Sequence, residues 1–301
     1  MAESEFKYYH YDPSLAAAVI FIIAFIATTT LHCYQLLRTR TWFMIPFIVG
    51  GFFQFVGYIG RAISHTETPD WTLGPYLVQT LLLLVAPALF AASIYMELSR
   101  IIIAADGENH ALIKKKWLTK IFVIGDVISF FVQGGGGGIQ SSGTESSLDT
   151  GKYIIVGGLL VQILFFGCFI AVAVHFFLAM KKAPTARAQG NIPWRKHLMA
   201  LFIGSALIMV RSLFRIIEYL QGFSGYLLSH EVYLYIFDAV LMLAVMVLFN
   251  VLHPSEIVVA ARGGNVKRGW NMRKIVGYHE HAASDDSERG STLISGRAGN
   301  L

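Results

Sequence analysis

The chain has 301 residues, of which 55% are hydrophobic and 14% charged, and a formal net charge of +5. Its apolar residues gather in runs of roughly twenty, the length that spans a bilayer as helix, which excludes an ordinary water-soluble enzyme. The basic excess sits in short loops between those runs, so it reads as a topology signal and excludes nucleic acid as a partner.

A polar segment, residues 1–14, precedes the first apolar run. Asp12 followed by Pro13 suits a helix start. The first run, Leu15 to Leu37, is too long for the core of a cleavable signal and is read as a retained helix. Span two, Ile45 to Ser64, carries Gln54, Tyr58 and Arg61 at the i, i+4, i+7 interval that puts side chains on one helical stripe. Span three, Gly74 to Leu98, contains Pro87, which removes one ladder hydrogen bond and is expected to kink the helix. Glu97 and Arg100 close it, three apart, and read as an ion pair.

Span four, Leu118 to Gly138, has Asp126 and Gln133 seven apart and ends in the run Gly134 to Gly138. Five glycines either let a neighbouring backbone approach closely or loosen the helix end into a connector; both readings stay open. Span five, Tyr153 to Met180, is apolar. Span six, Leu198 to Leu220, contains "VRSLFRIIEYLQG", with Arg211, Arg215 and Glu218 again at i, i+4, i+7. Three such charges cost on the order of 8 kcal/mol of insertion energy, against roughly 4 to 7 returned by the apolar residues of that span, so they need partners inside a bundle. Span seven, Val232 to Leu252, is entered through the same spacing, Glu231, Tyr235 and Asp238. From Ser255 the composition turns to Gly, Ser, His and charge, and residues 255–301 are expected to form a disordered cytoplasmic tail.

These readings give an all-α integral membrane protein, a bundle of seven transmembrane helices over residues 15–254, since helices satisfy their own backbone in lipid and no barrel alternation occurs. Loops one, three and five hold twelve Lys and Arg residues, whereas the N-terminal tail and loops two, four and six hold only Lys7 and Lys152. The N-terminus is therefore expected outside and the C-terminus in the cytosol. Cys33 and Cys168 are expected to be free thiols. No HExxH, GxSxG or GxxxxGK[ST] occurs, and His32, His175 and His253 are isolated in sequence, so no catalytic residue, metal or cofactor is expected.

Four spans thus each present a polar stripe within an apolar body. Stacked on depth at about 1.5 Å per residue, the charges fall in the outer half of the bundle. That pattern predicts a polar cavity reaching from the external side toward the midplane, with Arg211 or Arg215 paired to Glu218, Asp238 or Asp126.

The segments "QFVGYIGR", "LLLLVAPALFAASIYMELSRII", "GDVISFFVQGGGGG", "GGLLVQILFF", "VRSLFRIIEYLQG" and "EVYLYIFDAVLM" through "LHPSE" together resemble the fungal lipid-translocating exporter family, the RTA-like seven-span proteins, over about residues 10 to 260. Where the family pattern often has an acidic residue before the glycine–tyrosine pair of span two, this chain has Gln54. The resemblance implies a plasma-membrane or vacuolar protein that moves amphiphilic lipids such as sphingoid long-chain bases, with resistance to toxic amphiphiles, and in one branch porphyrin uptake. Carried onto this chain, the motif positions are Tyr58, Arg61, Asp126, Gln133, Arg211, Arg215, Glu218, Glu231 and Asp238. With Tyr235 they form the expected head-group site. The partners implied are membrane lipids or amphiphiles, a sphingoid base, sterol or porphyrin; a homodimer is compatible with this. A seven-helix amphiphile receptor is the alternative class, and an intramembrane lipid hydrolase is disfavoured by the missing nucleophile or metal constellation.

Overall fold

The computed structural model describes residues 9, 11–140, 144–190, 192–222 and 225–261, apart from the side chains of 116 and 145. Among these residues there are helices and no strands. The long helices are α1 (Leu15–Thr39), α2 (Ile45–Thr66), α3 (Leu73–Ala104), α4 (Lys115–Gln140), α5 (Glu145–Lys182) and α6 (Trp194–Gln221). The last span, α7, begins as Glu231–Leu234, passes through a π-helical turn at Tyr235–Val240 and continues as Leu241–Val251; a short α8 (Ser255–Ala261) follows. All seven expected spans are present as helices long and apolar enough to cross a membrane.

Neighbours run in chain order and close into a ring, with α7 against α1; α3 also packs across onto α6, which makes it the central helix. Its inner face is buried from Leu83 to Ala104. Large apolar side chains such as Phe131, Leu164, Ile23 and Ile217 cover the outer surface, the inverse of a water-soluble bundle and the arrangement lipid demands.

Several boundaries differ from expectation. α5 has 38 residues, about 57 Å at 1.5 Å per residue, so it projects beyond a hydrocarbon core of about 30 Å. The Thr144 hydroxyl caps it by accepting from Ser147 N at 3.3 Å, starting the helix in a polar segment that hydropathy alone assigns to a loop. Order also continues seven residues past the expected domain end at 254, because Ser255, Ile257 and Ala260 are buried where α8 packs on α3. The rest of the expected tail, 262–301, lies outside the described residues. Cys33 and Cys168 are free thiols, as expected.

The glycine run is helical throughout and serves close approach. A Cβ at Gly136 would lie 2.8 Å from the Gly151 carbonyl oxygen on α5, and one at Gly158 would lie 2.6 Å from the Gln133 side chain on α4. Side-chain-free faces thus bring the α4 and α5 backbones together, the usual device for helix pairs in lipid, where apolar burial gives no drive. Gly137, on another side of the run, meets nothing within 4 Å. Thermal unfolding in detergent is expected to separate the two: Gly136→Val lowers the melting temperature strongly, while Gly137→Ala is neutral or raises stability by about 0.5–1 kcal/mol through helix propensity.

Candidate functional site

Pro87 supplies the first element of the site. Lacking an N–H, it leaves the carbonyl of Leu83, four residues earlier, without its helical partner. α3 is assigned as helix through Pro87, and the Arg211 guanidinium of α6 donates to that Leu83 oxygen at 2.8 Å. Arg211 is completely buried, and its Nε also donates to Asp238 Oδ1 at 2.8 Å, in the π-helical turn of α7. A buried charge is tolerated only when paired and hydrogen-bonded. Both requirements are met here by groups from two other helices.

One turn further along α6, Arg215 pairs with Glu218 at 2.7 Å and lies over the Tyr219 ring, 5.2 Å from its centroid. Arg61 of α2 makes the third pair, with Glu231 of α7 at 2.6 Å. It also donates to the hydroxyls of Tyr235 at 3.1 Å and Tyr11 at 2.9 Å and to Gln79 Oε1 at 3.4 Å. Three arginines and three carboxylates are thereby matched one to one at the end of the bundle that carries the N-terminal segment.

A cavity of about 760 Å³, its open mouth included, sits among them. Arg61, Arg215, Glu218 and Asp238 line it, with Tyr76, Gln79, Thr80 and Leu83 from α3, Gln140 from α4, Tyr219 from α6 and Leu227, Leu228 and Leu234 near the start of α7. Tyr9 and Tyr11 complete the wall from outside the helices. A mixture of matched charge, hydroxyls and leucines at the mouth suits an amphiphile: a polar head inward, a tail along apolar side chains.

Of the expected site residues, Arg61, Arg211, Arg215, Glu218, Glu231, Tyr235 and Asp238 come together. Tyr58 lies beneath them, stacked on Phe25 at 5.7 Å and on Tyr235 at 6.0 Å, and its hydroxyl has no hydrogen-bond partner among the described residues. Asp126 stands apart: its Oδ2 accepts from Tyr95 at 2.9 Å, so it does not pair with either arginine. Gln133 bonds Ser129 at 2.6 Å and Gln162 at 3.2 Å within the α4–α5 contact and lines a smaller adjoining cavity of about 370 Å³, which shares Tyr76, Thr80, Gln140 and Tyr219 with the first. The stripe of span four therefore faces α3 and α5, because the glycine contact fixes its rotation. Glu97 does not pair with Arg100 either. Arg100 lies over the Phe43 ring at 4.9 Å, while Glu97 faces His197 of α6.

The N-terminal tyrosines have no spacing signal to announce them. Tyr9 donates to Gln79 Oε1 at 2.9 Å, the Ser14 amide donates to Glu231 at 2.8 Å, and His65 bonds the Pro13 carbonyl at 2.6 Å, which folds the segment over the cavity mouth. Burial raises the pKa of Tyr9 and of Tyr11, opposed in both by the Arg61 charge. A hydroxyl whose pKa is raised on folding contributes stability that is present below the ordinary tyrosine value of 10 and lost as pH climbs through the raised one. Phenolate absorbance assigned to Tyr9, as wild type minus Tyr9→Phe, should accordingly develop only above pH 10, together with loosening of this segment.

The pattern that defines the family described as "RTA1 like protein" matches residues 47–261. The chain is 38% identical over 284 residues to "Protoporphyrin uptake protein 1" of Saccharomyces cerevisiae, covering 83% of this chain and 92% of that protein. It is 36% identical to "Protein RTA1" of the same yeast, covering 84% and 87%. Against the yeast "Sphingoid long-chain base transporter RSB1" the identity is 25% over 279 residues, covering 81% and 72%. No solved structure matches the chain. The charge pairs give a direct stability expectation. Arg211→Ala leaves Asp238 buried and unpaired and should cost about 3–5 kcal/mol, whereas Arg211→Met with Asp238→Leu should recover most of it; thermal unfolding in detergent reads both.

Proposed function

The chain belongs to the RTA1-like family of fungal membrane proteins, and from that premise we propose that it translocates amphiphiles whose polar head enters the cavity among Arg61, Arg215, Glu218 and Asp238. The observation that carries this reading is the set of three arginine–carboxylate pairs, each with at least one member lining an open cavity. A purely structural network has no need of an adjoining cavity. Intramembrane charges facing a cavity are the mark of a substrate pathway. The basic loops support an external N-terminus; with that orientation the mouth would open at the outer leaflet of a plasma membrane, or on the lumenal side of a vacuolar one.

Both signs of charge are available to the head group. A sphingoid base presents an ammonium and hydroxyls, for which Glu218 is the natural acceptor, with tyrosine hydroxyls beside it. A porphyrin presents two carboxylates and a flat aromatic surface, and here Arg215 and Arg61 become the contacts, with Tyr9, Tyr11, Tyr76 and Tyr219 offering ring faces. The second cargo is favoured by the 38% identity to a protein named for protoporphyrin uptake, the first by the 25% identity to one named a sphingoid long-chain base transporter.

Purified protein in liposomes, offered a labelled sphingoid base or protoporphyrin on one leaflet, tests the proposal. Wild type should accelerate transbilayer movement of at least one over protein-free vesicles. Glu218→Gln should slow the base roughly 10- to 100-fold, the loss of one charged hydrogen bond, and affect the porphyrin less; Arg215→Gln should do the reverse. Binding without movement would replace the translocator by a receptor.

A further inference from the structure

The opposite end of the bundle holds a second charged cluster of different chemistry. His197, at the start of α6, is fully buried between two carboxylates: its Nδ1 lies 3.5 Å from Glu97 Oε1 of α3 and its Nε2 lies 3.1 Å from Glu256 Oε2 of α8. Glu97 is itself 1% exposed, and His197 is its only ionic partner among the described residues. Glu256 is partly exposed and also receives Lys196 at 2.6 Å. Three nearby arginines make contacts elsewhere. Arg100 of α3 lies over Phe43, Arg195 of α6 over Trp194, and Arg187 donates to the Ala261 carbonyl. Arg38 stands at the end of α1, and His32 of α1 and His253 ahead of α8 face each other with ring centroids 6.4 Å apart.

The contrast with the cavity end is chemical. An arginine holds its proton under all accessible conditions, so the three pairs there carry fixed cations. Glu97 has only a histidine, and a carboxylate buried without a permanent cation is stable either protonated beside neutral imidazole or ionised beside imidazolium. The two forms differ by the position of one proton, lost from the carboxyl O–H and gained at the ring nitrogen. No arginine locks this cluster in one state.

Buried polar atoms without a partner are distributed between the two ends, on α1, α2 and α7. His253 Nε2, His32 Nδ1, Thr29 Oγ1, Gln54 Oε1, the Tyr58 hydroxyl and Asp238 Oδ2 are each without a hydrogen-bond partner among the described residues. His32 and Thr29 are three apart on α1, Gln54 and Tyr58 four apart on α2, and Thr29 packs against Gly51, one turn before Gln54. Buried polar atoms need partners, and water supplies those that protein does not. His197 and Arg211 are fourteen residues apart on one helix, so the two ends are separated by about 21 Å.

We propose that the Glu97–His197–Glu256 cluster is a proton-carrying site that couples amphiphile movement to proton transfer between the two ends. The proposal rests on the translocation reading above. One proton enters from water past the ionised Glu256, is held between His197 and Glu97, and is released through Asp238 into the cavity, or the reverse.

Liposomes containing the full-length protein and a lumenal pH dye, given a labelled sphingoid base or protoporphyrin, provide the test, with protein-free vesicles subtracted. In wild type, movement of the probe should shift lumenal pH, and an imposed difference of about one pH unit should change the initial rate by up to about tenfold for one proton per molecule. Glu97→Gln should keep the gradient-free rate within about twofold yet lose both the pH signal and the gradient response; Glu256→Gln, at a partly exposed position that folding tolerates, should weaken both. Wild type that moves the probe with no pH signal and no gradient response overturns the coupling and leaves the translocator standing. So does a folded Glu97→Gln that retains both, which would make the cluster a latch for α8. Wild type that moves neither probe overturns the translocator itself and this inference with it.

Discussion

The guanidinium of Arg211 is the constraint around which the pocket end of the bundle is arranged. A permanent cation at zero exposure in a lipid-embedded fold has to be satisfied on every side that lacks water. Pro87 meets part of the need by releasing the Leu83 carbonyl from the α3 ladder, and the π-helical turn of α7 meets another part by holding Asp238. One side chain thereby pins α3, α6 and α7 at a single depth. Arg215–Glu218 lies a turn further out, and Arg61–Glu231 draws α2 and the N-terminal segment onto the same wall.

The molecule consequently has two ends of unlike electrostatics joined by an apolar middle. Around Arg61, Arg211 and Arg215 the cations are fixed and tyrosine hydroxyls lie close by; at the other end Glu97 faces a histidine and no arginine. Between them the Phe47 ring packs tilted against Phe90 at 4.6 Å and edge-on against Phe249 at 5.4 Å. Unpartnered polar atoms of α1 and α2 lie among these residues. The proposed head-group site at one end and the proposed proton site at the other would be the two parts a coupled carrier requires, and both are built from groups that would be costly to bury for packing alone.

Much of this was legible in the chain because hydropathy and helical spacing are strong signals in lipid. All seven spans were readable, and so were the polar stripes of spans two, six and seven, since i, i+4, i+7 fixes a face whatever the neighbours are. Asp126 shows where that logic stops. Spacing gives the face of a helix but not the direction it turns, and the glycine contact of α4 with α5 decided that direction. Tyr9 and Tyr11 carried no periodicity, being in a segment without regular structure. The Glu97–His197 contact joins residues a hundred positions apart, and a local rule assigned Glu97 to Arg100, three residues away. The π turn at Tyr235 has no compositional mark at all.

Binding a ligand and holding helices together are separable roles for the arginine–carboxylate pairs. Ligand-induced stabilisation separates the two roles most directly. Arg215→Met combined with Glu218→Gln removes one pair's charge while leaving neither partner buried and alone, so the fold should melt within a few degrees of wild type. Wild type titrated with a sphingoid base or protoporphyrin in detergent should show a concentration-dependent rise in melting temperature. The account predicts that the double variant loses that rise; the same rise in both proteins would contradict it.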